Sequence, residues 1–215
     1  SELTGVVWNQ FEKEKKKKFI IKNVISKLNI PSLNKNTIDF FNWFSQYNLI
    51  PKGMALKLSL LSGEAIENIN LEEFKKFNSK YKKKIFYLSE EQATALREIN
   101  NENNQFRVHV LQGTTGSGKT IVYFEALKVI IDKGFQGLVM LPEIGLTGQF
   151  KEKFKENKRL NTAIRHSGNT KKNKKIIWNG VLTGRIKVVI GARSSLFLPF
   201  KNLGLITVDE EHDQS

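Results

Sequence analysis

Two regimes of hydrophobic spacing follow one another along this chain of 215 residues. From Asn34 to Ile50 the apolar Ile38, Phe41, Trp43, Phe44, Tyr47 and Leu49 recur at three- and four-residue intervals behind an Asn/Thr cap region, the period of a helix with one buried face. Pro51 and Gly53 stop that helix. Met54–Leu61 predicts a second short helix, and Leu71, Phe74 and Phe77 place a third within Asn70–Asn78. Upstream, Leu3–Trp8 reads as a strand, followed by a charged run and the apolar Phe19–Ile25. Residues 28–85 are therefore expected to form a small helical domain, with Lys80–Lys84 as a linker to the C-terminal part of the chain.

After the linker the pattern alternates. Ser89-Glu-Glu-Gln-Ala opens a helix with a cap residue and early acids, and the valines of Phe106–Leu111 predict a buried strand. Helix Lys119–Lys133 ends at Gly134, and strand Gly137–Leu141 ends at Pro142. Helix Thr147–Lys158, strand Thr162–His166, helix Lys171–Thr183 and the strands Lys187–Ile190 and Leu203–Val208 complete the series. Strands separated by helices at this spacing imply an α/β fold, a parallel sheet with helices on both faces. In such sheets ligands sit beyond the carboxyl ends of the strands.

Chemistry concentrates at two of those ends. Gly113, Thr114, Thr115, Gly116, Ser117, Gly118, Lys119 and Thr120 satisfy G-x-x-x-x-G-K-[ST] between a predicted strand and a predicted helix. The glycines let the backbone wrap a phosphate chain, and successive N–H groups at a helix N-terminus favour its charge. Lys119 then reaches the terminal phosphates, and Thr120 offers a hydroxyl to Mg²⁺. A phosphate cradle needs an acid to hold the metal and a group to orient water. The last strand runs into Asp209, Glu210, Glu211 and His212, which places Asp209 as a metal ligand and Glu210 as the group that polarises water.

Composition narrows the partners. The formal charge is +14, densest at Lys15–Lys18, Lys82–Lys84 and Lys171–Lys175, which points to anionic partners. Abundant Lys, Asn and Ile also result from drift of a genome toward A+T, so charge alone decides little. With no cysteine, disulfides, thiolate metal sites and Cys nucleophiles are excluded, and three scattered histidines make no metal cluster. The sequence lacks the ~18 consecutive apolar residues of a membrane span and the regions of a signal peptide, so a soluble intracellular protein is expected.

A phosphate loop followed by Asp-Glu-x-His resembles superfamily 2 helicases, in which the second motif is the DEAH box. The resemblance sharpens in Leu141–Gln149 (Leu-Pro-Glu-Ile-Gly-Leu-Thr-Gly-Gln), His166–Gly168, Val189–Phe197 and Leu203–Asp213. These four segments, in this order, are similar to the first motor lobe of the replication-restart helicases. The resemblance covers residues 89–215, and more thinly residues 1–27 as the end of a DNA-binding domain and 28–85 as a winged helix. It implies a RecA-like first lobe over 86–215, ATP and Mg²⁺ as cofactors, and 3′-to-5′ unwinding of DNA during primosome assembly at stalled forks. Forked and single-stranded DNA, other primosome proteins and single-strand-binding protein are the implied partners, in the bacterial cytoplasm.

By the same resemblance Gln92 reads adenine, and Thr147, Gly191, Arg193 and Ser194 line the path of single-stranded DNA. Gly148 departs from the family's usual proline. The second lobe, with its arginines and its cysteine-rich zinc site, has no counterpart in these residues. Because an arginine finger is worth ~10³–10⁵ in rate, little or no ATPase is expected of this chain alone. The competing expectation is a non-catalytic DNA-binding remnant of a split or truncated helicase.

Overall fold

The computed structural model describes residues 5–8, 23–27, 31–59, 87–101, 105–114, 116–142 and 161–209. Its centre is a four-stranded parallel sheet of β1 (Gln136–Met140), β2 (Thr162–Arg165), β3 (Val188–Gly191) and β4 (Leu203–Val208), in the order β2-β3-β1-β4. The expected α/β, RecA-like arrangement is thus present. Both central strands are buried and, apart from Gln136 at the start of β1, carry no polar side chain, because helices cover both faces, as parallel sheets require.

The two covers are distinct. On one face α4 (Lys119–Asp132) presses Tyr123, Phe124 and Leu127 against Val139, Val188 and Ile190. On the other, α5 (Lys171–Leu182) sets Ile177, Trp178 and Val181 against Leu138, Ala163 and Val189. Neighbouring strand residues thus serve opposite clusters, as a side-chain period of two demands. The helix α3 (Glu90–Ile99) starts on a capping box, with Ser89 accepting from the Gln92 N–H and Gln92 accepting from the Ser89 N–H.

Before the sheet come α1 (Lys35–Tyr47) and α2 (Lys52–Ser59), close to the expected spans. Asn34 caps α1 by accepting from the Thr37 N–H at 2.8 Å, and its amide donates to the Phe200 and Lys201 carbonyls at 2.7 and 3.0 Å. Phe197, which ends a short 3₁₀ helix at Arg193–Phe197, inserts its ring among Phe40, Phe41 and Phe44, with centroids 5.7, 6.4 and 4.9 Å away. Among the described residues the helical part is therefore packed onto the α/β part through this aromatic cluster, Asn34 and Leu33.

Some expectations change. Phe106–Leu111 carries no strand: Phe106, Val108 and Val110 are 92%, 76% and 90% exposed. A hydrophobic run confers strand propensity, but a strand exists only where an edge accepts its hydrogen bonds, and among the described residues the outer edge of β4 is unpaired. Residues 5–8 also lack the strand expected of Leu3–Trp8, whose first residues, 3 and 4, lie outside the described residues. The helices expected at Asn70–Asn78 and Thr147–Lys158, and the linker Lys80–Lys84, lie outside them as well. No helix among the described residues is long and apolar enough to cross a membrane.

Candidate nucleotide site

The phosphate loop joins the exposed 106–112 segment to α4, and its shape depends on two glycines. Gly116 and Gly118 have φ of 84° and 85°, where a side chain is strained, and the turn closes with the Ser117 N–H donating to the Thr114 carbonyl at 3.1 Å. Gly118 is the N-cap of α4 and supplies no side-chain bond, so the loop geometry leaves the helix start to other acceptors. Gly113 is held close as well, because a Cβ there would meet Ser117 Oγ at 2.6 Å. The Lys119 ammonium folds back to donate to the Gly113 and Thr114 carbonyls at 2.6 and 3.1 Å. Thr115 lies outside the described residues.

Gln92 touches this loop. Its Nε2 donates to the Ser117 carbonyl at 2.9 Å while its Oε1 accepts from the Ser89 N–H at 3.0 Å. A Cβ on Gly118 would collide with that same Nε2. One amide therefore ties the cap of α3 to the phosphate loop. Each end of the amide keeps one further donor or acceptor for a base, since a primary amide has two of each.

Asp209 follows β4 at the carboxyl edge of the sheet, where its N–H donates to the Met140 carbonyl at 3.0 Å. Its Oδ2 accepts from the Tyr123 phenol at 3.0 Å. Tyr123 lies on α4 one turn beyond Lys119 and Thr120, four and three residues away, so it neighbours each of them on the helix surface. Burial first, then the Asp209 charge and the hydrogen bond to it, push the Tyr123 phenol well above its ordinary value, while a Thr120 side-chain hydrogen bond acts in the opposite sense. Thr120, three residues before Tyr123 on α4, and Asp209, which accepts from its phenol, thus both neighbour Tyr123. A hydroxyl with a carboxylate is the hard-donor pair that Mg²⁺ takes alongside water. Glu210, Glu211 and His212 lie outside the described residues.

The DNA-path candidates separate. Gly191 is buried, its carbonyl accepts from the Leu141 N–H at 3.0 Å, and a Cβ there would meet the Arg165 carbonyl at 2.6 Å. Close packing explains this glycine. Arg193 and Ser194 are exposed at the start of the 3₁₀ helix, level with the carboxyl ends of the strands. Thr147 lies outside the described residues. Sequence patterns did not single out Tyr123 or Gln136; Tyr123 had a signal, its four-residue spacing from Lys119.

A phosphate loop meeting a strand-end aspartate is a nucleotide-site geometry, and comparison with known proteins names its class. The family model for DEAD/DEAH box helicases matches residues 89–215. The chain belongs to the DEAD/DEAH box helicase family. It is similar to the replication restart protein PriA of Rickettsia conorii, 42% identical over 214 residues, which is 100% of this chain and 32% of that protein. PriA of Bacillus subtilis is 38% identical over 130 residues, 60% of this chain and 16% of the relative. PriA of Haemophilus influenzae is 41% identical over 128 residues, 60% and 17% respectively. The chain thus spans about a third of the length of the Rickettsia relative.

Proposed function

We propose that this chain is the N-terminal part, with the ATP-binding half of the motor, of an ATP-dependent 3′-to-5′ DNA helicase that restarts replication by assembling a primosome at stalled forks. One observation carries the nucleotide reading: Asp209, 86 residues beyond Tyr123 in sequence, accepts from the phenol of that residue, which sits one turn into the helix that begins with Lys119 and Thr120. The similarity to PriA proteins over the entire chain supports the replication-restart role.

In this reading the loop from Gly113 to Thr120 binds the phosphates, with Lys119 leaving its loop carbonyls for them, and Gln92 offers the rest of its amide to adenine. Thr120 and Asp209 hold Mg²⁺, which neutralises charge on the phosphates. Glu210 orients water, and Glu211 and His212 complete the box. Arg193 and Ser194 are the exposed candidates for a DNA backbone, with buried Gly191 at the end of β3 shaping the turn before them and Thr147 the further candidate by resemblance. Residues 1–27 end one DNA-binding domain, 28–85 form a winged helix, and 86–215 form the first motor lobe. Forked and single-stranded DNA are the substrates, and primosome proteins with single-strand-binding protein are the partners. Assayed by themselves, these 215 residues bind nucleotide but hydrolyse little, because a stabilising arginine from a second lobe is worth ~10³–10⁵ in rate.

Binding of a fluorescent ATP analogue tests the reading. Wild type binds and Lys119→Ala does not; equal binding by the two would remove the nucleotide function. Polarity is read by strand displacement on partial duplexes, using a protein as long as the relatives, with 3′-tailed templates alone expected to unwind.

A further inference from the structure

We infer that Tyr123 is a positioning residue for the metal: its phenol sets the orientation of the Asp209 carboxylate toward Thr120, so that the pair is prearranged for a divalent cation. The inference deepens the nucleotide-site reading and rests on it. Three observations carry it. The Tyr123 ring is anchored, 5% exposed and packed in the cluster of Phe124, Leu127, Val139 and Ile190, so its oxygen has a fixed place. That oxygen donates to Asp209 Oδ2 at 3.0 Å across 86 residues of sequence. Thr120 precedes Tyr123 by three residues on α4, so the two side chains are neighbours on its surface.

An ionised carboxylate accepts at about four positions, so one phenol fixes the plane of the group while leaving acceptor capacity for a cation. Partners that orient a metal ligand in this way typically govern affinity for the ion by about 10- to 100-fold. A buried tyrosine also needs a partner for its own hydroxyl, and a role of that kind alone would leave metal affinity unmoved. The two roles therefore differ in a measurable way.

The test uses Tyr123→Phe, which keeps the anchored ring, with two probes on the 215-residue chain. Mn²⁺ titrated without nucleotide and followed by electron paramagnetic resonance is expected to bind about tenfold more weakly to the variant. With fluorescent ATP analogue, the variant is expected to match wild type in EDTA, while the Mg²⁺ concentration for half-maximal response rises about tenfold. In an Asp209→Asn background Tyr123→Phe is expected to change neither. Equal Mn²⁺ affinity of wild type and Tyr123→Phe, or an undiminished effect in the Asp209→Asn background, overturns the inference. If the Mn²⁺ difference stands while wild type ignores the ATP analogue, the metal role survives and the nucleotide reading falls.

Discussion

Replacing Gln136 with methionine probes how the amino edge of the sheet, opposite the candidate site, is held in place. Gln136 is 1% exposed at the start of β1, and each polar atom of its amide is used. Nε2 donates to the Val181 and Ile186 carbonyls at 3.1 and 2.7 Å, and Oε1 accepts from the Asn202 N–H at 3.0 Å. One side chain thereby joins the end of α5, the turn into β3 and the entry to β4. The register of β1 against β4 shifts at this point, between Gln136 and Gly137, so backbone pairing alone does not fix the entry. Methionine matches the length and removes every bond. The Val181 carbonyl keeps the Gly184 N–H at 3.0 Å, which leaves the Ile186 carbonyl and the Asn202 N–H as the groups that lose this partner. Orphaning a buried polar group costs ~1–3 kcal/mol, so Gln136→Met is expected to lose about 3 kcal/mol of the ~5–15 typical of a domain. Urea denaturation at unchanged slope measures it. Gln136→Glu adds a sign: facing carbonyls, its carboxyl would have a folded-state value raised above the unfolded one, so its stability is present at low pH and is lost as pH rises through the folded value. A loss under about 1 kcal/mol for the methionine variant, or a glutamate variant more stable at pH 8 than at pH 5, would mean that this amide does not hold the edge together.

Gly118→Ala forces a left-handed residue to carry a Cβ into the Gln92 amide, so ATP-analogue affinity is expected to fall by at least tenfold while urea stability drops by only about 1 to 2 kcal/mol; titration calorimetry and denaturation together check it. Phe197→Ala removes the ring that joins α1 and the 3₁₀ helix; since this ring is only half-buried, about 2 kcal/mol is expected, below the ~3–5 of a core phenylalanine. Faster proteolysis within 35–59, with the α/β melt preserved, is the expected sign. Ile206 and Val208 project from β4 with its outer edge unpaired among the described residues, so Ile206→Lys is expected to reduce concentration-dependent scattering without loss of helix signal by circular dichroism.

Much of the site was legible in the residues because its chemistry is local. The phosphate loop depends on glycines within one turn and on the helix after it, and Asp209 is marked by the apolar run before it. Periodicity placed α4, α5 and all four strands of the sheet to within one residue and α1 to within three, since a buried face demands apolar side chains at the period of the element. What periodicity left open was pairing. Nothing in Phe106–Leu111 distinguishes a run that finds an edge from one that does not, and the structure leaves it exposed.

The long-range bonds were likewise decided only in three dimensions. Tyr123 looks like one more apolar residue on a helix until β4 brings Asp209 to its hydroxyl, and Gln136 looks like a polar start to a strand until α5 and Asn202 surround it. Spacing along the chain determines which faces are apolar and which loops can wrap a phosphate. Which buried donor meets which acceptor depends on how strands 50 or more residues apart are ordered across the sheet, and that order is fixed by packing on both faces.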